Sequence, residues 1–262
     1  MSRVIAAEKL TPQHTAYEIE APELAAAAAA GQLLMARLGD QVRFTPHAIA
    51  DFEPDKGTVT VVARTVAQNG DGVPDGELDP GDIAIELTGP MGKRDDARRG
   101  SKVLCVADRL GVAALYPRLR EYKERDCYTV VIAGYPSRDQ VYWQDRLNNY
   151  SDELYVVTED GSFGIRGPIQ QTVRAVCRHV TDLERALAIG PMPFLKACAN
   201  ATRNYGISTM ISLNAVVENE NDLHPAGDDE VAPFDWHDAS DLDGHAVDFD
   251  KLGAQIGIPP EK

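Results

Sequence analysis

The hydrophobic period of the chain changes near residue 100, and that change limits the possible folds more than any other feature. Before Gly100 the pattern is that of strands. Ala16 to Glu20 alternates, and Gly57 to Ala63 is rich in β-branched residues. Turn signals punctuate this half at Glu53-Pro54-Asp55-Lys56-Gly57, Asn69-Gly70-Asp71-Gly72 and Asp79-Pro80-Gly81-Asp82. Short strands at such spacing predict a small antiparallel barrel. After Gly100, short apolar runs (102–107, 127–133, 153–158, 185–189 and 208–213) alternate with helical stretches (111–123, 138–149, 170–179 and 194–205). Strand and helix in alternation predict a parallel sheet covered on both faces.

The expected fold is therefore an N-terminal antiparallel β-barrel (1–99), then an α/β parallel-sheet, Rossmann-like domain (100–213), then an irregular acidic C-terminal tail (214–262). The alanine run from Ala25 to Ala30 reads as a surface helical turn. No run of 18 apolar residues suggests a membrane span, and the first residues lack the apolar stretch of a secretory signal. The four cysteines form no C-x-x-C pair, and each sits among apolar or helical neighbours. They read as buried hydrophobes in a reducing compartment, so the expected location is the cytoplasm. The net charge of −15 opposes binding to nucleic acid or anionic membrane. Twelve acidic residues and no Lys or Arg lie between Glu218 and Asp250, as a solvated flap or as a surface for a basic partner.

Local wording narrows the reading further. Gly31-Gln32-Leu33, Ile49-Ala50-Asp51, Pro80-Gly81-Asp82 and Gly89-Pro90-Met91-Gly92 occur in order through the first half. Leu110 to Pro117, Thr158 to Gly164, Gly190 to Lys196 and Asp243 to Asp250 follow in the second. Taken in order, these segments resemble the ferredoxin–NADP reductase-like electron-transfer subunits. The resemblance is nearest to the alpha subunit of NADH-dependent ferredoxin–NADP oxidoreductase (the sulfide dehydrogenase flavin subunit). It is more distant to the dihydroorotate dehydrogenase electron-transfer subunit.

That resemblance implies FAD on the barrel, NAD(P) on the α/β domain and a [2Fe–2S] cluster in the tail. It also implies a larger flavin and iron–sulfur redox subunit as partner. Carried over residue by residue, the sites depart from the family pattern. The cluster ligands fall at Asn219, His224, Gly227 and Trp236, of which only His224 could ligate iron, so no [2Fe–2S] centre is expected. In the flavin segment the arginine slot is Phe44 and the hydroxyl slot is Ala48, with Arg43 and Thr45 nearby but out of register. The loop from Asn69 to Asp82 carries five carboxylates and no cation. The first turn of the α/β half, Ala107-Asp108-Arg109-Leu110-Gly111, keeps one glycine of a phosphate-binding loop.

The cofactor contacts expected from the resemblance are Arg43, Thr45, Gly89 and Pro90 for FAD, and Gly111 and Gly190 for NAD(P). Two roles follow: an accessory subunit that has kept the fold and lost cofactor sites, or an FAD-containing NAD(P)H-dependent subunit that passes electrons to a partner.

Overall fold

The computed structural model describes residues 2–38, 45–64, 78–81, 85–92, 98–212 and 237–238. The first half builds β1 (Arg3–Thr11), β2 (His14–Glu20), α1 (Pro22–Ala27), β3 (Leu33–Leu38), β4 (Thr45–Glu53), β5 (Thr58–Arg64) and β6 (Ile85–Met91). The six strands form one antiparallel sheet in the order β1-β2-β5-β4-β3-β6. It wraps a core of Val4, Tyr17, Ile19, Leu34, Ile49, Val59 and Val61. The alanine run does not lie wholly on the surface. Its helix starts earlier, at Pro22, and Leu24 and Ala25 plug the barrel core. Sequence pattern missed this because alanine is equally at home on either side of a short helix.

The second half runs β7 (Lys102–Asp108), α2 (Gly111–Glu124), β8 (Tyr128–Tyr135), α3 (Gln144–Asn149), β9 (Glu153–Thr158), β10 (Ile165–Arg166), α4 (Ile169–His179), β11 (Arg185–Ile189), α5 (Met192–Arg203), β12 (Ser208–Ser212) and β13 (His237–Asp238). The sheet order is β10-β9-β8-β7-β11-β12-β13, parallel except for β13. The five central strands are buried because helices cover both faces, which explains their unbroken apolar runs.

The expected helix from Arg138 to Asn149 is broken. A 3₁₀ turn at Arg138–Gln140 is separated from α3 by Trp143, whose φ is 56°. Tyr142 and Trp143 leave the helical path to enter an aromatic cluster with Tyr116, Tyr135 and Tyr150. Burial of two large rings outweighs local helix preference here. All four cysteines are free and buried. Among the described residues no helix is long and apolar enough to cross a membrane.

The two sheets meet along one apolar seam. Leu10, Ala16, Ala48, Ala50 and Val62 pack against Tyr116, Leu119, Tyr142 and Trp143. A bulge in β4 shapes the seam: the β4–β5 register shifts between Ile49 and Asp51. Ile49 and Phe52 face the barrel core, whereas Ala50 faces the seam and Asp51 and Glu53 meet Arg120 of α2. The extra residue turns Asp51 outward; regular alternation would aim it inward. Arg120 donates to Asp51 and lies 3.1 Å from Glu53. Burial raises the Asp51 carboxyl, and the Arg120 guanidinium opposes that rise. Arg120→Ala should cost about 2–3 kcal/mol, below the full value for a buried pair because the groups are partly exposed. Urea melts of the full chain check this; a loss under about 0.5 kcal/mol would mean that the tether carries little.

Candidate functional site

A doubly wound sheet offers its ligand crevice where the strand order reverses, beyond the strand C-termini. That point lies between β7 and β11. A cavity of about 440 Å³ opens there, lined by Asp108, Gly134, Glu159, Pro168, Phe194 and neighbours. Asp108 ends β7 and Gly190 follows β11.

Arg109 follows Asp108 at the end of β7. It adopts a left-handed conformation, with φ 50°. Its N–H donates to Gly134 O at 2.9 Å, and its carbonyl accepts from the Tyr142 hydroxyl and from Val112 N–H. The Tyr135 hydroxyl donates in turn to Tyr142 O at 2.8 Å. Burial raises both phenols far above their ordinary range, so they act as neutral donors. Held in this way, Arg109 Nη2 reaches Glu159 Oε1 at 3.3 Å, and its Nε lies 3.9 Å from Asp108 Oδ2. Arg109 is thus paired with two carboxylates that line the crevice.

The expected contact residues fall into three groups. Gly111 and Gly190 do lie on either side of the strand reversal, yet each is pressed against protein. A Cβ on Gly111 would stand 2.3 Å from Ile189 O, and one on Gly190 would stand 2.5 Å from the Phe194 ring. Both glycines have a packing reason to be there. Val112 and Ala113 N–H, in the first turn of α2, donate to Arg109 O and Leu110 O. Such groups would otherwise be free for an anion.

In the barrel, Thr45 pairs with Ala36 and His47 with Leu34, and both partners belong to the barrel core. Thr45 Oγ1 contacts His47 Nε2 at 2.9 Å and donates to Ala36 O at 3.3 Å. Ala48 lies on the opposite face, toward the seam. The β4 bulge comes after both positions, so it does not bring Thr45 to the face of Ala48. Gly89 and Pro90 sit in β6 beside Leu33 and Leu34, apart from Gly111 and Gly190. Arg43, Phe44 and the positions at 219, 224, 227 and 236 lie outside the described residues.

Sequence reading missed the role of Glu159 as a partner of Arg109, and of Tyr142 as its clamp. Asp108 and Arg109 had stood out as charges in a turn that should be glycine-rich. Nothing local links them to a residue fifty positions on. The Thr158 to Gly164 loop is self-contained: Thr158 Oγ1 bonds Phe163 at both backbone atoms, and Asp160 Oδ1 accepts from Ser162. Arg138 stacks over Phe163, with its guanidinium 5.3 Å from the ring centre. Among the described residues no His, Cys, Asp and Glu group could hold a metal.

A barrel joined to a sheet of this order, with a crevice at the strand reversal, defines a protein of the ferredoxin–NADP reductase fold. The chain is a homologue of electron-transfer subunits built on that fold. It is 26% identical over 258 residues to the dihydroorotate dehydrogenase B (NAD(+)) electron transfer subunit homolog of Thermotoga maritima, covering 96% of this chain and 89% of that one. It is 28% identical over 262 residues to the uncharacterized protein in the adh 3′ region of Clostridium beijerinckii, covering 96% and 88%. A chain of the NADH-dependent reduced ferredoxin–NADP oxidoreductase, solved for insight into flavin-based electron bifurcation, superposes with a TM-score of 0.72. That match is at 25% identity and covers 81% of this chain and 76% of the other. No family model matches the chain.

Proposed function

We propose that this chain is an accessory subunit of a multisubunit redox complex, one that has kept the reductase fold while its dinucleotide sites and its cluster site have degraded. One observation carries the reading: Asp108, Arg109 and Glu159 pair with one another where a dinucleotide diphosphate would need unpaired cations and free N–H groups. Two carboxylates and a neutralised guanidinium do not attract a diphosphate. The residues of the crevice therefore fit NAD(P) poorly. For FAD, the hydroxyl slot is Ala48, and Thr45 spends its hydroxyl inside the barrel. At the cluster positions, Asn219, Gly227 and Trp236 offer no iron ligand.

A partner is part of this reading. The Thermotoga relative is named as a homolog of an electron transfer subunit, and a fold without its own redox group needs another chain to supply one. The expected partner is a larger flavin and iron–sulfur subunit, and the expected setting is the cytoplasm.

The test is a visible absorption spectrum of the full chain purified with its natural partner, then separated from it. The separated chain should be colourless, and NADH should bind with a Kd above about 1 mM, weaker than about 4 kcal/mol. Stoichiometric flavin bands in the separated chain, with NADH bleaching them, would overturn the proposal in favour of an FAD-containing transfer subunit.

A further inference from the structure

Helices α4 and α5 begin at the strand-reversal crevice and end away from it. Pro168, Ile169, Pro193 and Phe194 line the crevice at their N-termini. At about 1.5 Å per residue, their eleven and twelve residues carry Arg178 and Arg203 about 15 Å from it. The two helices form one unit, in which Val173, Val176 and Cys177 share a core with Leu195, Cys198 and Ala199.

The outer surface of this unit has a charge unlike the rest of the chain. The chain holds 41 acidic residues, yet residues 161–181 and 185–212 contain none. Of the two carboxylates between those stretches, Glu184 lies 3.6 Å from Arg98 and Asp182 is exposed in the turn. Arg174 and Arg178, one turn apart on α4, and Arg203 on α5 are all exposed. Other arginines of this half pair with carboxylates, as Arg99 does with Asp126 and Arg125 with Glu121. Among the described residues, Arg174, Arg178 and Arg203 stand in no ion pair. A helix C-terminus favours a cation in its last turn, which accounts for Arg178 and Arg203 singly. It does not account for Arg174, a turn earlier, nor for the missing carboxylates. The Arg178 Nε–H donates to the Tyr205 hydroxyl at 3.2 Å and so joins the ends of the two helices. Tyr205 is itself 38% exposed. Arginine and tyrosine are the side chains that most often anchor protein interfaces.

We propose that this face, made by Arg174, Arg178, Arg203 and Tyr205, is where the partner subunit attaches, through a surface rich in carboxylates. Charge selects the partner's chemistry. A net charge of −15 repels an acidic protein over most of the molecule and leaves this face as its approach. Guanidinium suits the task because its planar fork pairs with both oxygens of a carboxylate. The face stands apart from the crevice, so it is an attachment surface and not a contact for electron transfer. The inference rests on the proposed function for the existence of a partner, and adds where and by what chemistry that partner docks.

The test measures the affinity of the full chain for the partner that copurifies with it, after the two are separated and recombined at low and moderate salt. Affinity should fall as salt rises. The double variant Arg174→Gln/Arg178→Gln should weaken it about tenfold or more, chiefly through slower association, and Arg203→Gln should weaken it about threefold. Arg99→Gln, at an exposed ion pair elsewhere, should leave it unchanged. All four side chains are exposed, and far-UV circular dichroism checks that each variant folds. Unchanged affinity in the double variant, or affinity indifferent to salt, would overturn the proposal. Self-association of the separated full chain at low salt, abolished by the same substitutions, would overturn it too, by giving the face to a second copy. A chain that purifies with no partner would remove the function reading and this inference together, whereas unchanged affinity in the double variant removes this inference alone.

Discussion

Gly111→Ala will destabilise the protein by about 3 kcal/mol, at the upper end of the usual cost of overpacking. The new methyl would lie 2.3 Å from Ile189 O and 2.9 Å from its carbonyl carbon. Ile189 ends β11, which is paired on both sides by β7 and β12, and its backbone cannot step aside as a side chain could. Either α2 lifts from β11 or the variant unfolds early. Lifting α2 would also disturb Tyr116, Leu119 and Arg120, which hold the seam. Urea denaturation read by far-UV circular dichroism measures the loss. A different result would be informative: a variant as stable as the parent, with an altered affinity for a nucleotide, would mean that the glycine serves ligand approach rather than packing.

The second large effect is on acid stability. His14 and His47 are both lowered to about 4, by burial first; for His14 the Arg64 and Lys9 charges add to it, while for His47 a hydrogen bond to the Val62 backbone opposes it. Each is therefore neutral in the folded chain at pH values where the unfolded chain, with a pKa near 6.5, takes up a proton. The unfolded state binds more protons between those values, so stability falls as pH drops from about 6.5 toward 4. At about 1.4 kcal/mol per pH unit per group, and discounting His47 because it is only half-buried, the pair should cost about 4 kcal/mol across that window. Above pH 7 neither group contributes a slope. Equilibrium unfolding at pH 7, 6, 5 and 4 gives the profile. The double variant His14→Gln/His47→Gln should flatten it by more than half. An equally steep loss in that variant would assign the acid sensitivity to carboxylates.

Much of the architecture was readable before any coordinates. The apolar runs at 102–107, 127–133, 153–158, 185–189 and 208–213 became the five central strands because a sheet covered on both faces needs apolar residues at every position. The last strand of the first sheet ends at Met91 and the first strand of the second begins at Lys102. The site was less legible. The charge of Asp108 is wrong for a phosphate loop on sequence alone, but the tie of Arg109 to Glu159 depends on strands that become neighbours only in the fold. Thr45 looked near enough to a flavin, yet the pairing with β3 turns it inward. The break at Trp143 and the burial of Ala25 likewise come from tertiary packing that outweighs local preference.

The bulge at Ala50 makes one strand the reference mark by which the two halves of the molecule are aligned. Loops around it could lengthen or shorten with little consequence, since each extra residue adds slack at the rim. Straightening β4 at its present length, without the bulge, would instead aim Asp51 into the barrel core and withdraw it from Arg120. Length variation among homologous chains should therefore avoid this strand, even where it is common a few residues away.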